Sequence, residues 1–230
     1  ADSASTKIYC PLARDNYYGN TGITVVNNNP AAANVKITFR ADPASPNSTE
    51  VMQDLTVAAN SSSIAFQGPG GNTRAAGMPG GSQSGANTVP TNNGWFGSAE
   101  INSDQSVVAV VNDTLFGSNW SIAGQSTYNC APASAAGTQH YLPLLRRFHL
   151  QQQQLVSGVQ VVDVSGASNT ATLSLFNWDG SNAPDPAAKV IAANSAVNFY
   201  GGDWTGLPTA PGDLGGLLLD HPDLALGLPG

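Results

Sequence analysis

Short runs of alternating apolar and polar residues recur along the chain, broken by Gly, Asn, Pro and Ser: GITVVNN, NVKITFR, VMQDLTV, SSIAF, GSAEIN, SVVAVVND and WSIAGQS. A period of two with turn residues between the runs predicts the strands of an all-β sandwich or barrel. In NVKITFR, Val35, Ile37 and Phe39 fall on one face and Lys36, Thr38 and Arg40 on the other, so the first set is expected to face a core. No segment carries a helical stripe of useful length. QQQQLV (151–156) comes nearest and lacks caps and periodic apolar partners.

The strand pattern is written twice. Tyr9, Pro11, Leu12 and Arg14 return as Tyr141, Pro143, Leu144 and Arg146. The stretch 21–39 matches 157–175 without a gap, 57–66 matches 191–200 around a shared Ala-Ala-Asn-Ser, and 89–104 matches 207–222. Spacing changes only where loops are expected. The Gly/Ser/Asn-rich stretch 68–94 cannot bury a core and reads as a long loop inside the first module, mostly missing from the second. The expected organisation is therefore two tandem Ig-like antiparallel β-sandwich modules, 1–137 and 138–230.

The copies differ at their ends. Module 1 continues past Asn112 to a final strand expected at Asn119–Ser126, whereas Gly230 is the counterpart of Asn112. The second module is thus expected to be one strand short, leaving a groove and unpaired backbone groups that proteins usually cover. Either further chain folds into the gap, or a neighbouring subunit donates a strand. The polar N-terminal segment Ser3, Ala4, Ser5, Thr6, Lys7 and Ile8 is the candidate donor.

Composition narrows the function. Charged residues make up 10% of the chain, with only 8 Lys and Arg and a net charge of -7, against about 25% charged in ordinary soluble domains. With Arg146-Arg147 as the only adjacent basic pair, no footprint for nucleic acid exists. No apolar run reaches the length of a membrane span. The opening ADSASTK has no signal-peptide features and is similar to the small polar start left after signal cleavage, so export is expected. Cys10 lies in the first strand-like run of module 1 and Cys130 in its last. A disulfide between them would staple the module shut; two buried free thiols are the alternative.

The line Y-x-P-L-x-R-x-x-Y-x-G-x-T-G from Tyr9, the V-V-N strand, the Asn-Ser before an aromatic-tipped strand, F-G-S-A and V-V-A-V-V-N-D resemble tandem Ig-like repeats in secreted surface proteins of filamentous green non-sulfur (Chloroflexi-type) bacteria. The resemblance covers nearly the whole chain. It carries no catalytic residues and implies an extracellular structural or adhesive role. The second module departs from it, replacing the Asn-Tyr-Tyr-Gly turn with FHLQQQQLV.

Chemistry is sparse. GGSQSG (80–85) puts Gln83 where a nucleophile elbow needs Ser. His140, His149 and His221 have no metal-ligand spacing, and Glu50 and Glu100, the only glutamates, each sit in strand writing. DHPD (220–223) is an Asp-rich candidate turn without an EF-hand pattern. No catalytic residues, metal or cofactor are expected. Trp95, Trp120, Trp178 and Trp204 lie beside Gly, Asn or Asp in turn-like contexts; each either plugs a sandwich end or stacks on a sugar ring. Sequons at Asn47, Asn60, Asn112 and Asn119 are candidate glycosylation sites, with Asn47-Ser-Thr the best placed.

These readings converge on a non-enzymatic extracellular structural protein that self-associates into a surface layer or filament by strand complementation. The alternative is a carbohydrate-binding or adhesin module of a larger secreted protein.

Overall fold

The computed structural model describes residues 4–68, 74–78, 94–116, 122–142, 145–149, 155–177, 179–201 and 212–227, with side chains described for these except 116, 122–123, 145–149, 155–156 and 212–227. Among the described residues every regular element is a strand apart from one 3-10 turn at Ala133–Ala135. No helix is long and apolar enough to cross a membrane among the described residues. The chain divides into a first unit built on Ala1–Ala135 and a second on Ala136–Leu228.

The first unit is an antiparallel sandwich of β1 (Ser5–Asp15), β2 (Gly19–Asn27), β3 (Ala33–Ala41), β4 (Val51–Val57), β5 (Ser61–Gln67), β6 (Trp95–Phe116), β7 (Ile122–Asn129) and β8 (Ala131–Pro132). β6 carries the architecture. Its first half pairs with β1 and β3, completing the row β4-β3-β6-β1-β8. Its second half pairs with β2 and β7, and β5 extends that row beyond β2. Two layers therefore share one strand, and the core lies where their inward residues meet. Ile8, Cys10, Ile37, Phe39, Ala99 and Ile101 come from one layer, and Ile23, Val25, Ala65, Ala109 and Val111 from the other. As expected, Val35, Ile37 and Phe39 are buried while Lys36 is exposed. Outward Thr38 is also buried, opposite Glu100.

Two strand limits differ from the sequence reading. GSAEIN and SVVAVVND are not separate strands but one of 22 residues. No Gly or Pro interrupts it after Gly97, and a register shift against β1, between Ser5 and Lys7, absorbs the change of layer. The strand expected at Asn119–Ser126 is described as Ile122–Asn129, running three residues past Ser126, while 119–121 lie outside the described residues.

The second unit comprises β9 (Gly137–Leu142), β10 (Leu145–His149), β11 (Leu155–Val156), β12 (Gly158–Asp163), β13 (Asn169–Asn177), β14 (Lys189–Ile191), β15 (Ala196–Tyr200) and β16 (Gly212–Gly227). β16 pairs with β13 on one side and with β9 and β10 on the other, then with β12, whose far edge takes β15. Val159, Val161, Leu173, Leu175, Ile191 and Phe199 form its core. The pairings of the first unit recur at positions the sequence matches. Ile37 faces Ile101 as Leu173 faces Leu219, and Val25 faces Ser63 as Val161 faces Val197.

In the first unit Gly22 and Ile23 have strand partners on both sides, Phe66 and Ala65 on β5, Asn112 and Val111 on β6. In the second, Gly158 and Val159 pair with Tyr200 and Phe199 on β15, and β12 pairs with β16 from Gln160 opposite Gly227. The positions where the register would continue, and the strand expected to be missing, lie outside the described residues.

Candidate functional site

Cys10 and Cys130 form a disulfide, with Cα atoms 4.5 Å apart. Cys130 follows β7 directly and its amide donates to the Ala109 carbonyl, 2.9 Å away, so the bridge ties the end of β7 back to β1. Tyr128 adds a second tie: Leu12 N–H donates to its hydroxyl at 3.0 Å, and the hydroxyl donates to the Leu12 carbonyl. Burial pushes that phenol well above its ordinary range.

Charged side chains inside the first unit are spent on one another. Asp15, fully buried, receives both Nε and Nη2 of Arg74, which also reaches the Met78 carbonyl. Asp113 accepts from Thr21 Oγ1 at 2.9 Å and pairs with Arg14 Nε at 3.3 Å. Burial raises its carboxyl, and Arg14 and Thr21 offset only part of the rise. On the outer face, Glu100 holds Arg40 at 2.8 Å, Lys7 at 3.4 Å and the Asn102 amide at 2.8 Å. There burial also pushes upward, but Asn102, Arg40 and Lys7 outweigh it and leave Glu100 below its usual range. Paired, hydrogen-bonded carboxylates of this kind are cross-strand clamps.

Beside that clamp an open depression of about 610 Å³ is lined by Asn34, Lys36, Asp54, Thr56, Asn102 and Asp104. Asn34 donates its backbone and side-chain N–H groups to Asp104, both at 2.8 Å. Its exposed polar groups make it a solvated sheet face, without the enclosure of a ligand site.

Of the candidate sugar-stacking set, Trp95 alone lies within the described residues. Trp95 is fully buried, edge-on to Phe39 at 6.0 Å, with Nε1 donating to the Thr49 carbonyl. Beside Gly94 it resembles a turn residue, but it is the first residue of β6 and fills the core. Trp120, Trp178 and Trp204 lie outside the described residues. Among the described residues the exposed rings are Tyr18, Tyr141 and Tyr200. Sequence reasoning passed over Tyr17 and Tyr18 because Asn-Tyr-Tyr-Gly reads as a turn, although two adjacent aromatics in a turn were the available signal.

The strand-donor segment is already in use. Ser5, Lys7 and Ile8 pair with Val107, Asn102 and Ile101 on β6, with Thr6 between them in β1, and Ile8 is buried. Ala4 precedes β1, exposed, and Ser3 lies outside the described residues. Donating this segment would uncover the unit's own core.

Of the sequons, Asn47 is half-buried with Nδ2 donating to the Gly94 carbonyl at 2.9 Å. Asn112 sits within β6 and accepts from Thr127 at 2.9 Å. Asn60 is exposed at a tight turn with φ 50°, and Asn119 lies outside the described residues. His140 Nε2 is 3.1 Å from the Gly137 carbonyl. His149 and His221 lie in β10 and β16, and Gln83 outside the described residues. DHPD is no turn, since all four residues lie in β16. No group of three or more His, Cys, Asp and Glu suited to a metal occurs among the described residues.

No family model matches the chain and no curated protein matches it. Among solved structures, one titled "Crystal Structure of Thermotoga maritima 1070" is similar at TM-score 0.39 and 16% identity, over 55% of this chain and 93% of that one. At that level the likeness carries no argument.

Proposed function

We propose that this is a non-enzymatic extracellular structural protein, a subunit of a surface layer or filament, built from tandem copies of one sandwich module and assembled by strand complementation. The observation that carries the reading is that the strand registers of the first unit recur in the second, Ile37 opposite Ile101 as Leu173 is opposite Leu219, and Val25 opposite Ser63 as Val161 is opposite Val197. Repeated sandwich modules present repeated sheet edges, and an exposed edge is a template for another chain. A strand of a second copy is the occupant.

Three further features support it. A disulfide is at home in an oxidising, extracytoplasmic compartment. Buried Asp15 and Asp113 and near-buried Glu100 are each committed to a cationic partner, an arrangement that stiffens a fold and leaves little for acid-base chemistry. A surface with so few charges offers little repulsion between neutral edges.

Analytical ultracentrifugation across a wide concentration range, with electron microscopy of the same sample, tests the reading. Concentration-dependent oligomers are expected. A chain that stays monomeric at every concentration defeats the proposal.

A further inference from the structure

The connection from β1 to β2 is Asn16-Tyr17-Tyr18, and Asn16 and Tyr18 both adopt left-handed backbone, φ 55° and 51°. Asn tolerates that region; a bulky ring at positive φ is a genuine outlier, and such outliers gather at ligand-contacting sites. The turn is held from several sides. Asn16 N–H donates to Asn20 Oδ1 at 2.8 Å within the protein. Tyr17 stacks on Phe96 with centroids 4.5 Å apart, and Tyr18 stands edge-on to Tyr17 at 5.0 Å. Gly94 lies so close that a Cβ on it would come within 2.1 Å of the Asn16 carbonyl oxygen. The result is a rigid mount on which Tyr18 remains 46% exposed.

The fold does not require tyrosines in this turn. The second unit forms the matching strands β10, β12 and β16 with no Tyr-Tyr in its sequence there. A bulky ring in a costly backbone conformation, at a place where the other copy of the module has no such ring pair, is retained for what it displays.

The surroundings define the ligand. Arg14 and Arg74, the cations beside the turn, are bound by Asp113 and Asp15, so among the described residues beside the turn no free charge waits for an anionic or cationic group. Tyr17's face is covered by Phe96, and Tyr18 is the displayed ring of the three. A polyproline helix needs a groove between aromatic rings; one open ring with a hydroxyl at its tip fits the apolar face of one sugar. We propose that Tyr18, mounted on Tyr17 and Phe96, is a stacking platform for the pyranose ring of an uncharged glycan. The site stands independently of strand complementation, since it uses residues of the first unit alone.

Calorimetric titration of the full chain with cellohexaose, chitohexaose and mannohexaose tests it, beside polygalacturonate and decaproline. Saturable binding of at least one neutral hexasaccharide is expected, weakened at least tenfold by Tyr18→Gly and less than twofold by Tyr18→Phe. Tyr141→Ser, at an exposed ring of the second unit, is expected to leave it unchanged. Because glycine adopts φ near 51° freely, Tyr18→Gly is expected to melt at the same temperature or higher, so lost binding is not lost folding. The proposal is overturned by no saturable binding of any neutral probe, by binding that survives Tyr18→Gly, or by a Tyr18-dependent preference for polygalacturonate or decaproline. A lower melting temperature for Tyr18→Gly overturns the premise that the turn is kept for its ring.

Discussion

Leu142 occupies in the second unit the strand position that Cys10 occupies in the first: Cys10 stands opposite Ala99 on β6, and Leu142 opposite Leu217 on β16. Only one of the two units therefore has its end stapled. Closing a loop with sequence separation 120 stabilises by about 4–5 kcal/mol in the chain-entropy account. Replacing both Cys10 and Cys130 by Ala is expected to weaken the first unit by that order and leave the second untouched. Hydrogen exchange read by mass spectrometry checks this: protection should fall in β1, β6 and β7 and persist in β12, β13 and β15.

The outer-face clamp sets a pH window. Glu100's folded pKa lies below its ordinary 4.5, so its contribution is present above that value and lost as pH falls through the folded pKa. Lys7 is raised above 10.5, first by its contact with Tyr9 and then by Glu100, so its share is kept below 10.5 and lost as pH climbs through the folded value. Wild type should therefore exceed Glu100→Gln in stability by a nearly constant margin between about pH 5 and pH 9. The margin should shrink on either side, which urea titrations at a series of pH values would measure.

How far this was legible in the sequence depends on range. Val35, Ile37 and Phe39 announce a half-buried strand by alternation, and the matched registers of the two units follow the repeat spacing, because both depend on neighbours along the chain. Ser103-Asp104-Gln105 looks like a turn between two strands; β6 is kept extended there by its partners, β3 at Ser103, β1 at Asn102 and Val107, and β2 from Val108. The salt bridge from Arg74 to Asp15 joins residues 59 apart, inside a stretch that composition marks as loop, and no local pattern signals it. Trp95 was ambiguous for the same reason. Gly94 beside it suggests a surface turn, whereas the glycine is there because Asn16 crowds it.

Trp95 is thus a core residue. Trp95→Ala is expected to cost about 3–5 kcal/mol, the usual range for deleting a buried aromatic. Trp95→Phe should cost less, since it keeps ring contact with Phe39 and loses the hydrogen bond to Thr49. Neither substitution should alter glycan affinity once corrected for the folded fraction. A specific affinity loss in folded Trp95→Phe would return this residue to the binding surface.

Gly97 gives a backbone test of the shared strand. A Cβ there would lie 2.0 Å from the Arg40 carbonyl oxygen, whereas one at Gly124 would touch only Leu115 side-chain atoms, at 3.7 Å and beyond. Gly97→Ala must push β3 away from β6 where Ala41 faces Gly97, at a cost of about 3 kcal/mol, the upper end for overpacking. Gly124→Ala should fall within about 0.5 kcal/mol of wild type. Equal thermal stability of the two variants would contradict the close approach of β3 and β6.

Sequon accessibility separates the candidate glycosylation sites. A transferase must engage the side-chain amide nitrogen. At Asn47 that atom is bound to the Gly94 carbonyl. Asn112 is in mid-strand, flanked by β2 and β7. Asn60 is exposed at a turn, followed by Ser61 and Ser62. When the chain passes through a secretory pathway that has the machinery, Asn60 is expected to be occupied and Asn47 and Asn112 to stay bare, whatever the stronger Ser-Thr context of Asn47. Peptide mapping after enzymatic deglycosylation in heavy-oxygen water would mark each occupied Asn as a labelled Asp. Occupancy of Asn47 above that of Asn60 would mean that the hydrogen bond to Gly94 forms only after modification, and that the long loop closes late in folding.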